Sequence, residues 1–544
     1  MPELPPFQTH SVDNQAPEFA PRDLWSDDIA LRGAVRDNGA DAFASDIAGY
    51  GRLAGDTLLA LSFDMHRDRP RLRSHDRFGN RIDRVDFHPN YHAVMQAAIE
   101  HGVAGLSWRD ARPGAHVARA ALSYLHYQVE PGTSCPLTMT HAAVPVLRRE
   151  PALREWADKA IAAQYDPRDV PIADKAGVTL GMGMTEKQGG SDVRANTTMA
   201  TPLGADGEYA LVGHKWFFSA PMSDGFLVLA QAPGGLTCLL MPRRMSDGAK
   251  NAFRLLRLKD KLGDWSNASA EVEFTGAWAR RIGEEGRGIA TILEMVMLTR
   301  LDCMLGSAAL MRMALAQALH HCRHRRAFGK RLIDQPLMRN VLADLAIEAE
   351  AALALSMRVA RAIDAAARDP REAAFARIAT AIGKYWICRR APAFVNEAQE
   401  CLGGNGYVEE SLLPRLYRQA PLNSIWEGSG NIQCLDVLRA LAREPETGAA
   451  LWSEFQRAGT ADGAYAAMSE RLHGPLTGRT LVEEKLARRF VEDLALALQA
   501  SVLLRGGSPM ADAFCSSRLR EGHRLAFGTL ADDIEMEPIL ARAG

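Results

Sequence analysis

The feature that most limits how this chain can fold is a block of short apolar runs at residues 181–285, set inside a sequence that otherwise reads as helix. Runs at 209–212, 226–230, 236–240 and 270–274 are four or five residues long. Turn clusters separate them: Ala-Asp-Gly at 205–207, Pro-Gly-Gly at 233–235 and Ser-Asp-Gly at 246–248. Strands at this regular spacing predict a small barrel or sandwich.

Helical periodicity governs both flanks. The first zone, 1–180, opens with forty Pro- and Asp-rich residues expected to lie over a surface. Val94, Ala97, Ala98 and His101, and then Val117, Ala121 and Tyr124, follow helical spacing. Between the opening and these helices, residues 67–86 carry seven arginines and four aspartates. That density predicts a solvated or subunit-facing surface. In the zone 286–441, Ile289, Ile292, Val296 and Arg300 share one helix face. An arginine on an apolar stripe predicts a buried partner or a subunit contact. The last zone, 442–544, is helical again, strongest at 481–504, with breaks at 443–448, 473–475 and 506–509. The expected class is therefore mainly α with a central β domain, in four parts: 1–180, 181–285, 286–441 and 442–544.

Charge and cysteine usage narrow the function. Across 544 residues, 47% hydrophobic and 24% charged, the formal net charge is −2. A large core is possible, and there is no global signature of nucleic acid or membrane binding. No apolar stretch reaches the roughly 18 residues of a membrane helix, and the first residues do not resemble a secretory signal. Eight cysteines occur without a C-x-x-C pair, which points to free thiols in a reducing, cytoplasmic setting. His320, His321 and His324 have no partners at ligand spacing, so no metal is expected.

Neither a phosphate-binding P-loop nor a dinucleotide-binding glycine motif after a strand is present. Four other segments can carry chemistry. Residues 184–192 (Met-Thr-Glu-Lys-Gln-Gly-Gly-Ser-Asp) enter the strand zone with hydroxyls and glycines, as a polar loop or as a cradle of N–H donors. Residues 325–330 (Arg-Arg-Ala-Phe-Gly-Lys) end a long helix, where cations suit either the helix dipole or a diphosphate. Residues 403–406 (Gly-Gly-Asn-Gly) stop a helix or admit a ligand close to backbone. Residues 425–431 (Ile-Trp-Glu-Gly-Ser-Gly-Asn) place Glu427 between an aromatic and a turn that opens a helix. There it serves as a cap or as a general base with a raised pKa.

In this order the four segments resemble the acyl-CoA dehydrogenase superfamily over about residues 85–440. The extended N-terminus, residues 184–192, residues 423–431 and the extra hundred C-terminal residues are most similar to its AidB-like adaptive-response branch. The resemblance implies an N-terminal helical domain, a middle β-barrel domain, a C-terminal helical bundle and an added C-terminal helical domain, assembled as a homotetramer that binds FAD. It implies flavin contacts from Met184, Thr185, Gly190, Ser191 and Val193, and from Phe217, Phe218 and Ser219. Phe217 and Ser219 stand where the family usually has Trp and Thr. Arg325, Phe328 and Gln335 match the residues by which a neighbouring subunit grips the cofactor, although the gap from Phe328 to Gln335 is one residue shorter than usual. Gly403 and Gly404 match glycines that let FAD approach, with Glu400 where many relatives have Gln. Trp426, Gly428, Ser429 and Asn431 match the turn around the catalytic base, Glu427. The implied reaction removes a proton from Cα and a hydride from Cβ of an acyl thioester, whose oxygen the Glu427 N–H and a flavin ribityl hydroxyl hold.

The resemblance implies two functions. One is a flavoprotein of the DNA-alkylation response that binds double-stranded DNA and deactivates alkylating agents. The other is a short- or branched-chain acyl-CoA dehydrogenase with no DNA role. Nitroalkane oxidation is disfavoured, because those relatives use Asp where Glu427 stands. Residues 442–544 carry 12 basic and 15 acidic side chains, short of a basic footprint on average. Clustering of Arg439, Arg443, Arg488, Arg489, Arg518, Arg520 and Arg524 on one face would be needed. Because the flavin motifs end near Asn431, the tail is expected to be separable from the flavin site.

Overall fold

The computed structural model describes residues 7, 9–520 and 526–544; Arg524 lies outside them. The arginine-rich stretch folds as a hairpin, β1 (Arg71–His75) and β2 (Arg81–Asp86). Asp76 makes its turn by accepting from the Phe78 and Asn80 amides at 2.8 and 2.9 Å. Val85 enters the barrel core, and Arg81 donates to the Leu255 carbonyl at 2.7 Å. Arg71, Arg73 and Arg84 share the opposite face, so one face is solvated and the other is fixed to the barrel.

The barrel contains β3 (Leu180–Gly183), β4 (Met199–Pro202), β5 (Glu208–Ser219), β6 (Gly225–Ala232), β7 (Gly235–Pro242), β8 (Phe253–Leu258) and β9 (Ser269–Arg281). One edge of β6 pairs with β7, and its other edge is shared by β3 and β4. From β4 the sheet continues through β5 to β9, whose far edge takes β8 and then the end of β7. The β7–β9 pairing closes the circuit, so the block is a barrel rather than a sandwich, with no long free edge. Its inner side chains include Phe218, Phe226, Phe253 and Phe274.

Helices pack against both sides. Glu130 joins α1 (Ala115–Val129) to α2 (Pro131–Leu147). Its carboxylate accepts from Gly132 N at 2.8 Å, His66 Nε2 at 3.0 Å and Ser266 Oγ at 2.5 Å, the last from the loop before β9. Three long helices follow: α3 (Gly288–His324), α4 (Pro336–Ala365) and α5 (Pro370–Glu400). Then come α6 (Gly430–Arg443), α7 (Pro445–Arg457), α8 (Gly463–Leu476) and α9 (Ala487–Arg505). Pro475 sits within α8, so the break expected at 473–475 falls just after it.

The tail shares the core of the helical bundle. One apolar core runs from Leu31 through Leu310 and Ile382 to Leu494, Phe514 and Ile539. Arg358 of α4 is buried between Glu372 and Glu454 of α7, at 2.7 and 2.9 Å. A buried arginine needs a carboxylate partner, because an unpaired buried charge is strongly destabilising. All eight cysteines are buried. Among the described residues no helix is long and apolar enough to cross a membrane.

Candidate active site

Glu427 sits in a turn that the chain would not adopt unaided. It has φ +58°, and Gly428 follows at +94°. A left-handed non-glycine residue costs of order 1–3 kcal/mol, so the surroundings must hold it. Lys384 Nζ donates to the Trp426 carbonyl at 2.8 Å and to the Gly428 carbonyl. Arg300 Nε and Gln433 Nε2 each reach the Glu427 carbonyl at 3.1 Å. Three side chains thus clamp three successive carbonyls. A Cβ on residue 428 would lie 2.6 Å from Gln433 Nε2, and its φ of +94° favours glycine there. Arg300 is itself paired with Asp436 at 2.7 Å, and Arg377 grips the same carboxylate at 3.0 Å. This is the buried partner that the apolar stripe predicts.

The Glu427 carboxyl meets α3, where Thr299 Oγ1 donates to Oε2 at 2.6 Å. Burial pushes the carboxyl above its ordinary value, while the Thr299 hydrogen bond and the charges of Lys384 and Arg300 pull it back. A raised carboxylate is the state a general base needs near neutral pH. Thr299 and Lys384 were missed from sequence. The one hint for Thr299 is its place beside Arg300 on the same helix.

The barrel supplies the opposite wall. Met184 and Trp426 pack on one apolar cluster with Ile292, Met295 and Leu298. The Thr185 carbonyl accepts from Trp216 N at 2.9 Å, and a Cβ at Gly190 would strike Thr185 Oγ1 at 2.4 Å. Gly190 and Ser191 are exposed and Val193 is half-buried. Glu186, also missed, organises this loop: it is buried, pairs with Lys215 Nζ at 2.7 Å and accepts from Thr197 N at 2.7 Å. On β5, Phe217 is exposed and Ser219 Oγ lies 3.2 Å from Ser269 Oγ. Phe218 is a correction. Strand alternation turns it into the barrel core, where its ring fills the space beside Gly183, so it cannot face a cofactor beside Phe217.

The remaining candidates form a second group. After α3, residues 326–327 and 330–331 pair as a small hairpin around Phe328 and Gly329, at φ +52° and +78°. Phe328 is 95% exposed, and Gln335 Nε2 folds back onto the Ala327 carbonyl at 3.0 Å. Arg325 Nη1 donates to the Asn14 carbonyl at 2.6 Å. Cys322 Sγ lies 3.8 Å from the Cys401 carbonyl, which brings the 403–404 turn beside this hairpin. A Cβ at Gly403 or Gly404 would meet nothing within 4 Å. Thr299 and Arg325 are 26 positions apart along α3 and its end, about 39 Å at ~1.5 Å per residue. The two groups therefore lie well apart, the first beside the interiors of α3 and α5 and the second where these helices end.

The residue types in each group suit part of a flavin dinucleotide. Beside Glu427 there are an aromatic face, hydroxyls and the uncapped first turn of α6; at the hairpin there are a cation, a projecting ring and open glycines. Of the arginines proposed for DNA, one is turned away from solvent. Arg439, Arg443, Arg488 and Arg489 are exposed. Arg520 pairs with Asp533 at 3.3 Å. Arg518 is turned inward onto Asp344 and onto Glu348 at 3.2 Å, which removes it from any phosphate-binding surface.

Residues 14–167 match the model of the adaptive response protein AidB N-terminal domain. Residues 181–277 match the acyl-CoA dehydrogenase middle domain, and 286–442 its C-terminal domain. The chain is 47% identical to AidB of Escherichia coli (strain K12) over 530 residues, 96% of each chain. It is 31% identical to acyl-CoA dehydrogenase family member 11 of Caenorhabditis elegans, over 76% of this chain and 69% of that one. The structure of C. elegans ACDH-11 in complex with C11-CoA superimposes with a TM-score of 0.85 at 25% identity, covering 95% of this chain and 94% of that one. Members of this family use FAD. The chain belongs to the acyl-CoA dehydrogenase family, as an FAD-dependent oxidoreductase of its AidB-like branch.

Proposed function

We propose that the protein oxidises the Cα–Cβ bond of an acyl-CoA thioester, with Glu427 as the Cα base. The observation that carries this is the clamped turn, which presents a half-buried carboxyl with a raised pKa between α3 and the barrel. Glu427 removes the Cα proton, and its N–H, which has no acceptor among the described residues, is the donor offered to the thioester oxygen. The chemistry FAD supplies when bound is acceptance of the Cβ hydride. Met184, Thr185, Phe217 and Ser219 orient the ring, and Ser429 and Asn431 hold the adjoining part of the cofactor. Because the hairpin lies about 39 Å along the helix from Thr299, Arg325, Phe328, Gln335, Gly403 and Gly404 serve the flavin of another copy. That supports an assembly of more than one copy, which the family resemblance makes a homotetramer, and the buried free cysteines suit a cytoplasmic setting. The test is anaerobic flavin reduction with acyl-CoAs from butyryl and isovaleryl to C11. Bleaching by at least one of them is expected; no bleaching by any removes the proposal.

Duplex-DNA binding in an alkylation response is a second reading, favoured by the similarity to AidB and the exposed Arg439, Arg443 and Arg489. Since the tail shares the core, its test uses charge removal at these three positions rather than truncation. Binding at about 50 mM salt that is lost in the triple variant supports it. No binding by the wild-type protein at that salt rejects it.

A further inference from the structure

The turn after Glu427 is held from the added C-terminal region. Arg488, on α9 and 57 positions downstream, donates from Nε to Asn431 Oδ1 at 2.8 Å. A Cβ on Gly430 would stand 3.6 Å from Arg488 Nη2, so the guanidinium lies along the start of α6. Burial pushes the Cys434 thiol and the Tyr385 phenol above their ordinary values, and the nearby charges of Arg488 and Arg389 pull both back in part. Two cations therefore gather at a helix start whose N-cap, Ser429, makes no side-chain cap.

The hydrogen bond has a chemical consequence for Asn431. A carboxamide presents either an acceptor or two donors, and the two states differ by one rotation. Arg488 can only donate, so it selects the state with Oδ1 turned inward. Asn431 Nδ2 has no acceptor among the described residues, and Asn431 is exposed. The amide thus presents N–H donors outward from the cofactor turn.

We propose that Arg488 is a positioning residue of this turn: by engaging Asn431 Oδ1 it fixes the amide as a donor toward the flavin cofactor, so that the added C-terminal region sets flavin affinity without touching the reacting atoms. The proposal rests on the assignment of residues 427–431 to the flavin site.

The test is FAD titration of full-length apoprotein, followed by flavin fluorescence, beside thermal unfolding of the same apoproteins. Arg488→Ala is expected to weaken FAD binding roughly tenfold, the scale of one charge-assisted hydrogen bond, with no change in apoprotein melting temperature. Arg488→Lys restores most of the loss. Asn431→Asp keeps the pair but presents an acceptor, and it weakens FAD at least as much. Arg479→Ala, which removes an exposed arginine of the same region away from the turn, leaves binding unchanged. Wild-type binding with an equally tight Arg488→Ala variant overturns this proposal alone. Wild-type protein that takes up no FAD overturns the flavin assignment, and this proposal with it.

Discussion

Replacing Thr299 by valine isolates the one side-chain hydrogen bond that favours the ionised form of Glu427. Valine keeps the shape and β-branching of threonine, so the helix is preserved while the donor at 2.6 Å disappears. A hydrogen bond to a charged group contributes about 1.5–3 kcal/mol. At ~1.36 kcal/mol per pKa unit, its loss raises the carboxyl by about one to two units above a value that burial already holds high. Lys384 and Arg300 still act in the other direction, so the base continues to ionise at alkaline pH. The assay is the pH dependence of kcat/KM for acyl-CoA oxidation, which reports the free enzyme. The acid limb is expected to move up by about one to two units, with a plateau at high pH close to the wild-type one. An acid limb that stays in place, or moves down, refutes the role given to Thr299.

Three further outcomes follow from the same contacts. Lys215→Met leaves buried Glu186 without its cation and is expected to cost about 3–5 kcal/mol; a melting temperature equal to wild type contradicts this. Phe328→Ala removes a fully projecting ring, so protomer stability should change by less than about 0.5 kcal/mol while the proposed self-association and FAD affinity weaken. Sedimentation velocity and flavin titration read this, and unchanged assembly argues against the hairpin as a subunit contact. Glu427→Gln removes a carboxyl whose folded pKa is raised above its unfolded value. The wild-type protein loses stability as pH rises through that folded pKa, so the variant's melting advantage should grow from acidic to neutral pH. A difference independent of pH contradicts the raised value.

The barrel was legible because its strands carry the two strongest local signals, compact apolar runs and Gly/Asp turns, and β6, β7 and β9 fall on those runs. Closure was not legible, since it depends on Leu239 and Leu240 meeting Arg280 and Arg281, a pairing no local pattern encodes. The hairpin at 71–86 was hidden because its charge outweighs its alternation. At the site, Glu427 and the glycines stood out by residue type and spacing. Thr299, Lys384 and Glu186 did not, because their roles arise from partners 128, 42 and 29 positions away. Phe218 was assigned to the cofactor with its neighbours, and period-two alternation places it on the other face. The motifs end near Asn431, and the contacts of Arg488 with Asn431 and of Arg358 with Glu454 arise between residues 57 and 96 positions apart, which no local pattern encodes.

The central claim is that Glu427 is the Cα base of an acyl-CoA oxidation. The direct measurement is exchange of the Cα protons with deuterated solvent, followed by NMR on a bound thioester whose Cβ position is replaced by sulfur, so that proton removal occurs without hydride transfer. The account predicts exchange catalysed by the wild-type holoenzyme and its loss, by on the order of 10²-fold or more, in a Glu427→Gln holoenzyme that retains FAD. Equal exchange in the two proteins would contradict it.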